Sequence, residues 1–328
     1  MSGYLADKTI FLAGATGMAG SSILEHLLAH YPTTRIRGGH WRTEPHILHE
    51  RIEYVRGDLT SLEDCRRMVR GCDGAVMAAA FTGGAGLTQS APWRHIKENL
   101  DMNTRMLEAF HLEGVKRVIY IGSATLYQDF AGHIKEEELD MNSDPSRAYL
   151  GFGWTVRFLE RMCRFWHERE GMEMIVFRCA NIYGPYAKFD PGSSNFIPAI
   201  VRKAVERMEP FEVWGSREVT RDVIYAADFA QAVLMAMDAG AKICYDVFNL
   251  GSGVTTTVGE VVDCALRHAG HTPDAVHYRT NQPSTVPFRA LDCAKIQRVL
   301  GWSASVAIDE GIGRTVAWWQ ANRQLWCK

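Results

Sequence analysis

The stretch Gly14-Ala15-Thr16-Gly17-Met18-Ala19-Gly20 sets three glycines at a G-x-x-G-x-x-G spacing. Between a buried strand and a helix, that spacing suits an anion. Small residues let the backbone turn tightly, amide N–H groups approach a pyrophosphate, and the helix N-terminus directs its partial positive charge at it. Thr16 and Met18 lie in the same turn, so the whole segment is expected to hold a dinucleotide. Which dinucleotide depends on the end of the next strand, where a carboxylate would bind an adenosine ribose and repel a 2′-phosphate. The chain there reads RIRGGHWRTE. His40 stands about where that carboxylate is expected, with Arg37 and Arg42 close by. The cofactor expected is therefore NADP(H), with NAD(H) as the alternative and with Arg42 and His40 as phosphate partners.

Elements must hold that turn in place. KTIFLAG enters it as an apolar run, and SSILEHLLAH leaves it with Ile23, Leu24, Leu27 and Leu28 on one helical face. Further apolar runs follow at TRIRGGH, IEYVRGD, GAVMAAA, RVIYIGS, MIVFRCAN and DVFNLGS, with helical patterns such as SLEDCRRMVRG and HIKENLDMNTRMLEAFHLEG between several of them. Strands alternating with helices predict an α/β fold: a Rossmann-type, doubly wound parallel sheet with helices on both faces. From about residue 183 the chain is rich in Gly, Pro and Ser and its segments shorten, which predicts a smaller C-terminal α/β substrate domain. The expected division is 1–180 for the dinucleotide, with 222–250 returning to it, and 181–221 plus 251–328 for the substrate.

Bulk properties narrow the function classes. A chain of 328 residues with 47% hydrophobic residues can bury one large core or two ordinary ones, and a net charge of −2 gives no reason to expect nucleic acid or an anionic membrane as partner. The eight cysteines form no C-x-x-C pair, and His95, His111, His133 and His167 lack metal-ligand spacing, so neither a disulfide framework nor a metal is expected. With no basic leader and no apolar run of membrane-spanning length, a cytoplasmic protein is expected.

Taken together, several stretches resemble the extended short-chain dehydrogenase/reductases, the NAD-dependent epimerase/dehydratase family of nucleotide-sugar enzymes. GATGMAG is similar to the family's cofactor loop and RGDL to its adenine-contacting segment, with Asp58 and Leu59. MAAA, carrying Ala78, Ala79 and Ala80, is similar to the fourth-strand segment, and Asn99 in KENLDMNT to the asparagine that stabilises the sheet. GSATLY resembles the segment of the catalytic serine, here Ser123, and RAYLGFG that of the Tyr-x-x-x-Lys motif, here Tyr149. The second half is most similar to the GDP-L-fucose synthase branch. That resemblance implies a nucleotide-diphosphate sugar as substrate, with Trp214 near the base, Arg221 and Arg289 near the diphosphate, and Asn181, Asn195 and Ile200 lining the pocket. It also implies a homodimer formed through helices near 93–113 and 149–170, where the stripe Phe158, Met162, Phe165 and Trp166 would serve as contact or as core.

The departures from the family pattern matter as much. Gly153 stands where the motif lysine is expected. In the family that lysine holds the nicotinamide ribose and favours the tyrosinate by its charge, since a free phenol ionises only near pH 10 or so. A tyrosine that gives up a proton tolerates the loss better than one that must take a proton, so reduction is favoured over alcohol oxidation. Thr125 and Asn195 stand where the fucose synthases carry an acid/base cysteine and histidine, and SATLY lacks the acidic residues of dehydratases. What remains is Ser123 and Tyr149, with Thr125 beside them. The expected activity is ketoreduction at C4 of a nucleotide-linked hexose or deoxyhexose. A 4-epimerase with bound nicotinamide, or a binding protein without turnover, are the alternatives. Gly151 and Gly153 weaken a helix by about 1 kcal/mol each relative to alanine, which predicts either a close backbone approach or room for another group.

Overall fold

A computed structural model describes residues 3–82, 92–280 and 290–326. The first five strands are β1 (Thr9–Ala13), β2 (Arg35–His40), β3 (Ile52–Arg56), β4 (Gly74–Met77) and β5 (Arg117–Ser123). A short β6 (His133–Ile134) precedes β7 (Glu173–Cys179), and β8 (Asn181–Tyr183), β9 (Phe211–Trp214), β10 (Thr220–Tyr225) and β11 (Tyr245–Leu250) follow. Seven strands form the main sheet in the order β11-β7-β5-β4-β1-β2-β3, every neighbour pair parallel. All seven apolar runs of the sequence are in it. DVFNLGS does return to the large sheet: β11 pairs with β7 at its edge.

A parallel sheet must be covered on both faces, and β1 shows how alternation achieves this. Ile10 and Leu12 join the core beneath α1 (Met18–His30), together with Phe229 and Val233 from further along the chain. Phe11 and Ala13 join the opposite core, with Met68 of α2 (Leu62–Val69) and Phe110 of α3 (Pro92–Leu112). Leu159 and Cys163 of α4 (Leu150–Glu170) complete that face, and Gly171, with φ of 69°, ends the helix in the left-handed region. In the stripe on α4, Met162 and Trp166 pack on this core, whereas Phe158 and Phe165 are 49% and 45% exposed.

A separate core is built from later residues. It joins α5 (Phe196–Val205), β9 and α7 (Val258–Ala269), while α6 (Ala226–Asp238) packs on the main sheet. β12 (Thr255–Thr257) pairs antiparallel with β10, whose other neighbour is β8, and β13 (Val276–Arg279) pairs with β9. β14 (Ala290–Leu291) pairs with β6, and the chain continues through α8 (Ala294–Leu300) to α9 (Ile308–Trp326). Trp319 of α9 is buried and stacks on Phe189, ring centroids 4.2 Å apart. Among the described residues, no helix is long and apolar enough to cross a membrane.

Candidate active site

In a sheet of this order, neighbouring strands β1 and β4 send their connections in opposite directions, which opens a crevice at their C-terminal ends. The glycine turn sits there. Gly14 has a φ of +75°, and a Cβ on it would lie 2.8 Å from the Ala79 Cα. A Cβ on Gly20 would lie 2.1 Å from the Gly14 carbonyl oxygen, so the helix can start this close to the strand only without a side chain. Gly17 differs: it is exposed, caps the N-terminus of α1, and a Cβ there would meet nothing nearer than 3.5 Å. The first and third glycines thus shape the turn, and the second leaves open the approach to the helix N-terminus. That arrangement fits a pyrophosphate.

The residues expected to bind the cofactor lie at or just beyond the ends of β1, β2, β3 and β4, with Asn99 on α3. Thr16 is buried in the turn and Met18 packs toward the second core. Ala78, Ala79 and Ala80 follow the end of β4, and Asn99 clamps the next residue, Phe81, at both its N–H and carbonyl, each 3.0 Å. Asp58 follows β3 and accepts from the Thr60 amide and hydroxyl, while Leu59 packs on the core. His40 ends β2, its ring edge-on to Tyr54, and Arg42 is exposed beside it. Arg37 is bound elsewhere: its Nε donates to Glu53 at 2.9 Å and its Nη1 to the Arg70 carbonyl at 2.6 Å.

Ser123, Thr125 and Tyr149, the residues expected to react, line one cavity together with Ala124, Cys179, Ala180, Asn181, Arg221, Asp222 and Leu291. Four elements that are distant in sequence meet here. Ser123 ends β5, in register with Cys179 at the end of β7. Its Oγ accepts from the Thr125 amide at 3.2 Å and from the Thr125 hydroxyl at 3.1 Å. With both of those donors pointing inward, the serine's own O–H is left to point at a ligand. Tyr149 caps the N-terminus of α4, and Arg221 and Asp222 come from β10.

The lysine's place is closed. A Cβ on Gly153 would lie 2.5 Å from the Pro145 Cβ and 2.7 Å from the Thr125 carbonyl oxygen. Of the two expectations for this glycine, the contacts of its backbone show the close approach. Gly151 is tight too, its Cβ falling 2.7 Å from the Ile96 Cδ1. The helix is pinned to the serine loop by other cations. Arg157 Nε donates to the Leu126 carbonyl at 2.7 Å, and buried Arg178 forks onto Glu160 at 2.7 and 2.9 Å. Arg178 also donates to the Tyr127 hydroxyl at 2.7 Å, which in turn reaches Asn249.

Two titratable neighbours are spoken for. Asp222 accepts from the Ser252 amide and hydroxyl and from the Leu291 amide, and burial pushes its carboxyl up. Burial likewise pushes the Cys179 thiol up, keeping it protonated. Burial holds the Arg221 guanidinium below its ordinary range, while the charge of Tyr149 pushes in the other direction.

The expected substrate residues divide. Thr125, Asn181 and Arg221 line the cavity. Ile200 is 3% exposed, packs in the second core with Val201 and Val261, and is not in the described lining of this cavity. Asn195 is exposed at the start of α5, and Trp214 is 53% exposed at the end of β9; neither is in the cavity lining. Arg289 lies outside the described residues. The sequence reading missed Asp222, Cys179 and Leu291. Asp222 had a usable signal, a second charge inside the otherwise apolar strand TRDVIY, whereas Cys179 and Leu291 look like ordinary core. Among the described residues, no cluster of three His, Cys, Asp or Glu side chains could hold a metal.

Comparison with known proteins agrees with this geometry. The family model for the NAD dependent epimerase/dehydratase family matches residues 10–251. A probable GDP-L-fucose synthase 1 from Oryza sativa subsp. japonica is 27% identical over 97% of this chain and 94% of the relative. A GDP-mannose 3,5-epimerase 1 from the same source is 27% identical over 94% of this chain and 81% of its own length. The crystal structure of UDP-glucose 4-epimerase from Thermotoga maritima superposes with a TM-score of 0.84 at 22% identity, covering 96% of this chain and 99% of that one. The glycine turn at the sheet's switch point, the Ser123–Tyr149 cavity and the match over residues 10–251 lead to one conclusion: the chain belongs to the NAD-dependent epimerase/dehydratase family.

Proposed function

We propose that this protein is an NADP(H)-dependent oxidoreductase that reduces a ketone at C4 of a nucleotide-diphosphate sugar, a GDP-linked hexose or deoxyhexose. One observation carries the reading: Ser123 and Tyr149 share a cavity with Arg221 and Asn181, while position 153 is a glycine packed against Pro145 and carries no ammonium. NADPH, when bound, supplies the hydride. Gly14, Gly17 and Gly20 would hold its pyrophosphate, and His40 and Arg42 its 2′-phosphate. Ser123 binds the carbonyl oxygen with a hydroxyl oriented by Thr125, and Tyr149 gives that oxygen its proton. The Thr125 hydroxyl cannot deprotonate a carbon beside a ketone at neutral pH, and the cavity's one carboxyl, Asp222, is turned to Ser252 and Leu291. Reduction without epimerisation at C3 or C5 follows.

The substrate class is consistent with the two plant relatives, whose names refer to GDP sugars. The test is a set of assays with a GDP-4-keto-6-deoxyhexose and NADPH. The expected result is one NADPH oxidised per product formed, a loss of about a hundredfold or more in Tyr149→Phe, and tighter binding of NADPH than of NADH. Turnover of a GDP-hexose without added reductant would make the protein a 4-epimerase instead. Unchanged turnover in Tyr149→Phe would end the catalytic assignment.

A further inference from the structure

We propose that Asp222 is a positioning residue that sets the separation between Arg221 and Ser123, and with it the span of the cavity for a nucleotide sugar. This rests on the reading that Arg221 meets the diphosphate while Ser123 holds the oxygen at C4 of the sugar. The two anchors come from different sheets. Ser123 ends β5 of the main sheet, whereas Arg221 belongs to β10, which pairs with β8 and β12. A ligand that reaches from one to the other is gripped at both ends only if the two sheets are held at a fixed separation.

The Asp222 carboxylate makes that connection. One oxygen accepts from the Ser252 amide at 2.8 Å and the Ser252 hydroxyl at 2.9 Å. Ser252 lies just past β11, whose Leu250 is in register with Cys179 of β7, and Cys179 is in register with Ser123. A single rung of the main sheet thus runs from Leu250 to Ser123. The other carboxylate oxygen accepts from the amide of Leu291, itself part of the cavity lining, at 3.1 Å. The chain is also shaped to admit the carboxylate: a Cβ on Gly251 would lie 2.4 Å from Asp222 Oδ2.

These partners are all donors, which suits an ionised carboxylate, and the residue is only 4% exposed. Hydrogen bonds to a charged acceptor are among the stronger ones, so the group serves as an anchor between segments. Arg221 follows the strand that is anchored: its Nη1 donates to the Thr220 carbonyl at 2.7 Å, tying the guanidinium to β10. Successive residues of a strand project to opposite faces, so β10 can be held through Asp222 while Arg221 serves a ligand.

Two variants attack the connection from opposite sides. In Asp222→Asn, either orientation of the new amide sets its NH2 against an N–H, of Ser252 or of Leu291, so one arm opens. Gly251→Ala pushes the carboxylate away instead. Calorimetric titrations with GDP and with GDP-mannose read the result without turnover, because GDP engages only the diphosphate anchor and GDP-mannose reaches both. GDP-mannose should bind the parent more tightly than GDP does. In both variants that advantage should shrink about tenfold, with affinities for GDP and NADPH within about twofold of the parent. Should Asp222→Asn not fold, Ser252→Ala, which removes one donor, takes its place with a smaller loss in the same direction. Equal losses for GDP and GDP-mannose, an unchanged advantage, or no advantage in the parent would overturn the proposal. A parent that binds neither ligand would overturn the GDP-sugar reading together with it, whereas one that shows the expected pattern but oxidises no NADPH would sink ketoreduction alone.

Discussion

Two glycine sites, the turn at Gly14–Gly20 and the helix start at Gly153, are built on the same device and have opposite consequences. In both, a missing side chain lets backbone come closer than a Cβ allows, 2.1 Å from the Gly14 oxygen at Gly20 and 2.7 Å from the Thr125 oxygen at Gly153. At the turn, close approach shapes a concavity for a ligand. At the helix, it brings the chain against Pro145 at the position where the resemblance implies a lysine. A glycine in a motif therefore has no fixed meaning; what lies opposite its absent Cβ decides whether it opens a site or closes one.

Substitutions at these sites can break or sharpen that comparison. Gly20→Ala should have the largest effect, because its Cβ meets a backbone carbonyl that cannot rotate away. A loss of about 3 kcal/mol or more in stability is expected, with loss of NADPH binding, read by thermal unfolding and cofactor fluorescence. Gly153→Lys comes next. In a free helix the change would gain up to about 1 kcal/mol, but here the collision with Pro145 should make it a net cost of about 1–2 kcal/mol. A rise in Tm would show that position 153 is open after all.

Gly17→Ala sharpens the contrast from the other side. Its Cβ meets the Gly14 carbonyl oxygen only at an ordinary contact of 3.5 Å, so Tm should hold while cofactor affinity falls about tenfold, roughly 1.4 kcal/mol, in a binding titration. Equal losses of Tm at Gly17 and Gly20 would erase the distinction between shaping and admitting glycines. The smallest effect lies far from both sites. Arg267 and His268 of α7 hold the Asp309 carboxyl at about 2, below its ordinary 3.8. A carboxyl depressed in the folded state stabilises above its ordinary value, and that contribution is lost as pH falls through the interval from 3.8 to about 2. Asp309→Asn should flatten the acid limb of the stability curve in that interval, read by unfolding at stepped pH.

The sequence made much of this architecture legible, and its failures have physical causes. Seven apolar runs became seven strands because each is long enough for its burial to show as a pattern. β6, β8, β12 and β14, of two or three residues each, carry no period and were not visible. Among site residues, Ser123, Thr125 and Tyr149 were placed by motif and do meet in one cavity. Ile200 was placed by likeness to a block of sequence, and its side chain packs with Val201 and Val261 in the second core. Arg221 was expected to face a diphosphate, and nothing in TRDVIY announces a tyrosine across the cavity.

By itself the sequence determined the parallel sheet and the glycine turn, because these are written in local composition and spacing, and its resemblance to the family placed Gly153 where a lysine is expected. Only the tertiary structure decided that Pro145 packs against Gly153 and that Arg221 of β10 and Tyr149 line one cavity. Periodicity fixes which face of an element is buried, whereas the partner it is buried against depends on how distant segments pack. No local pattern carries that second kind of information.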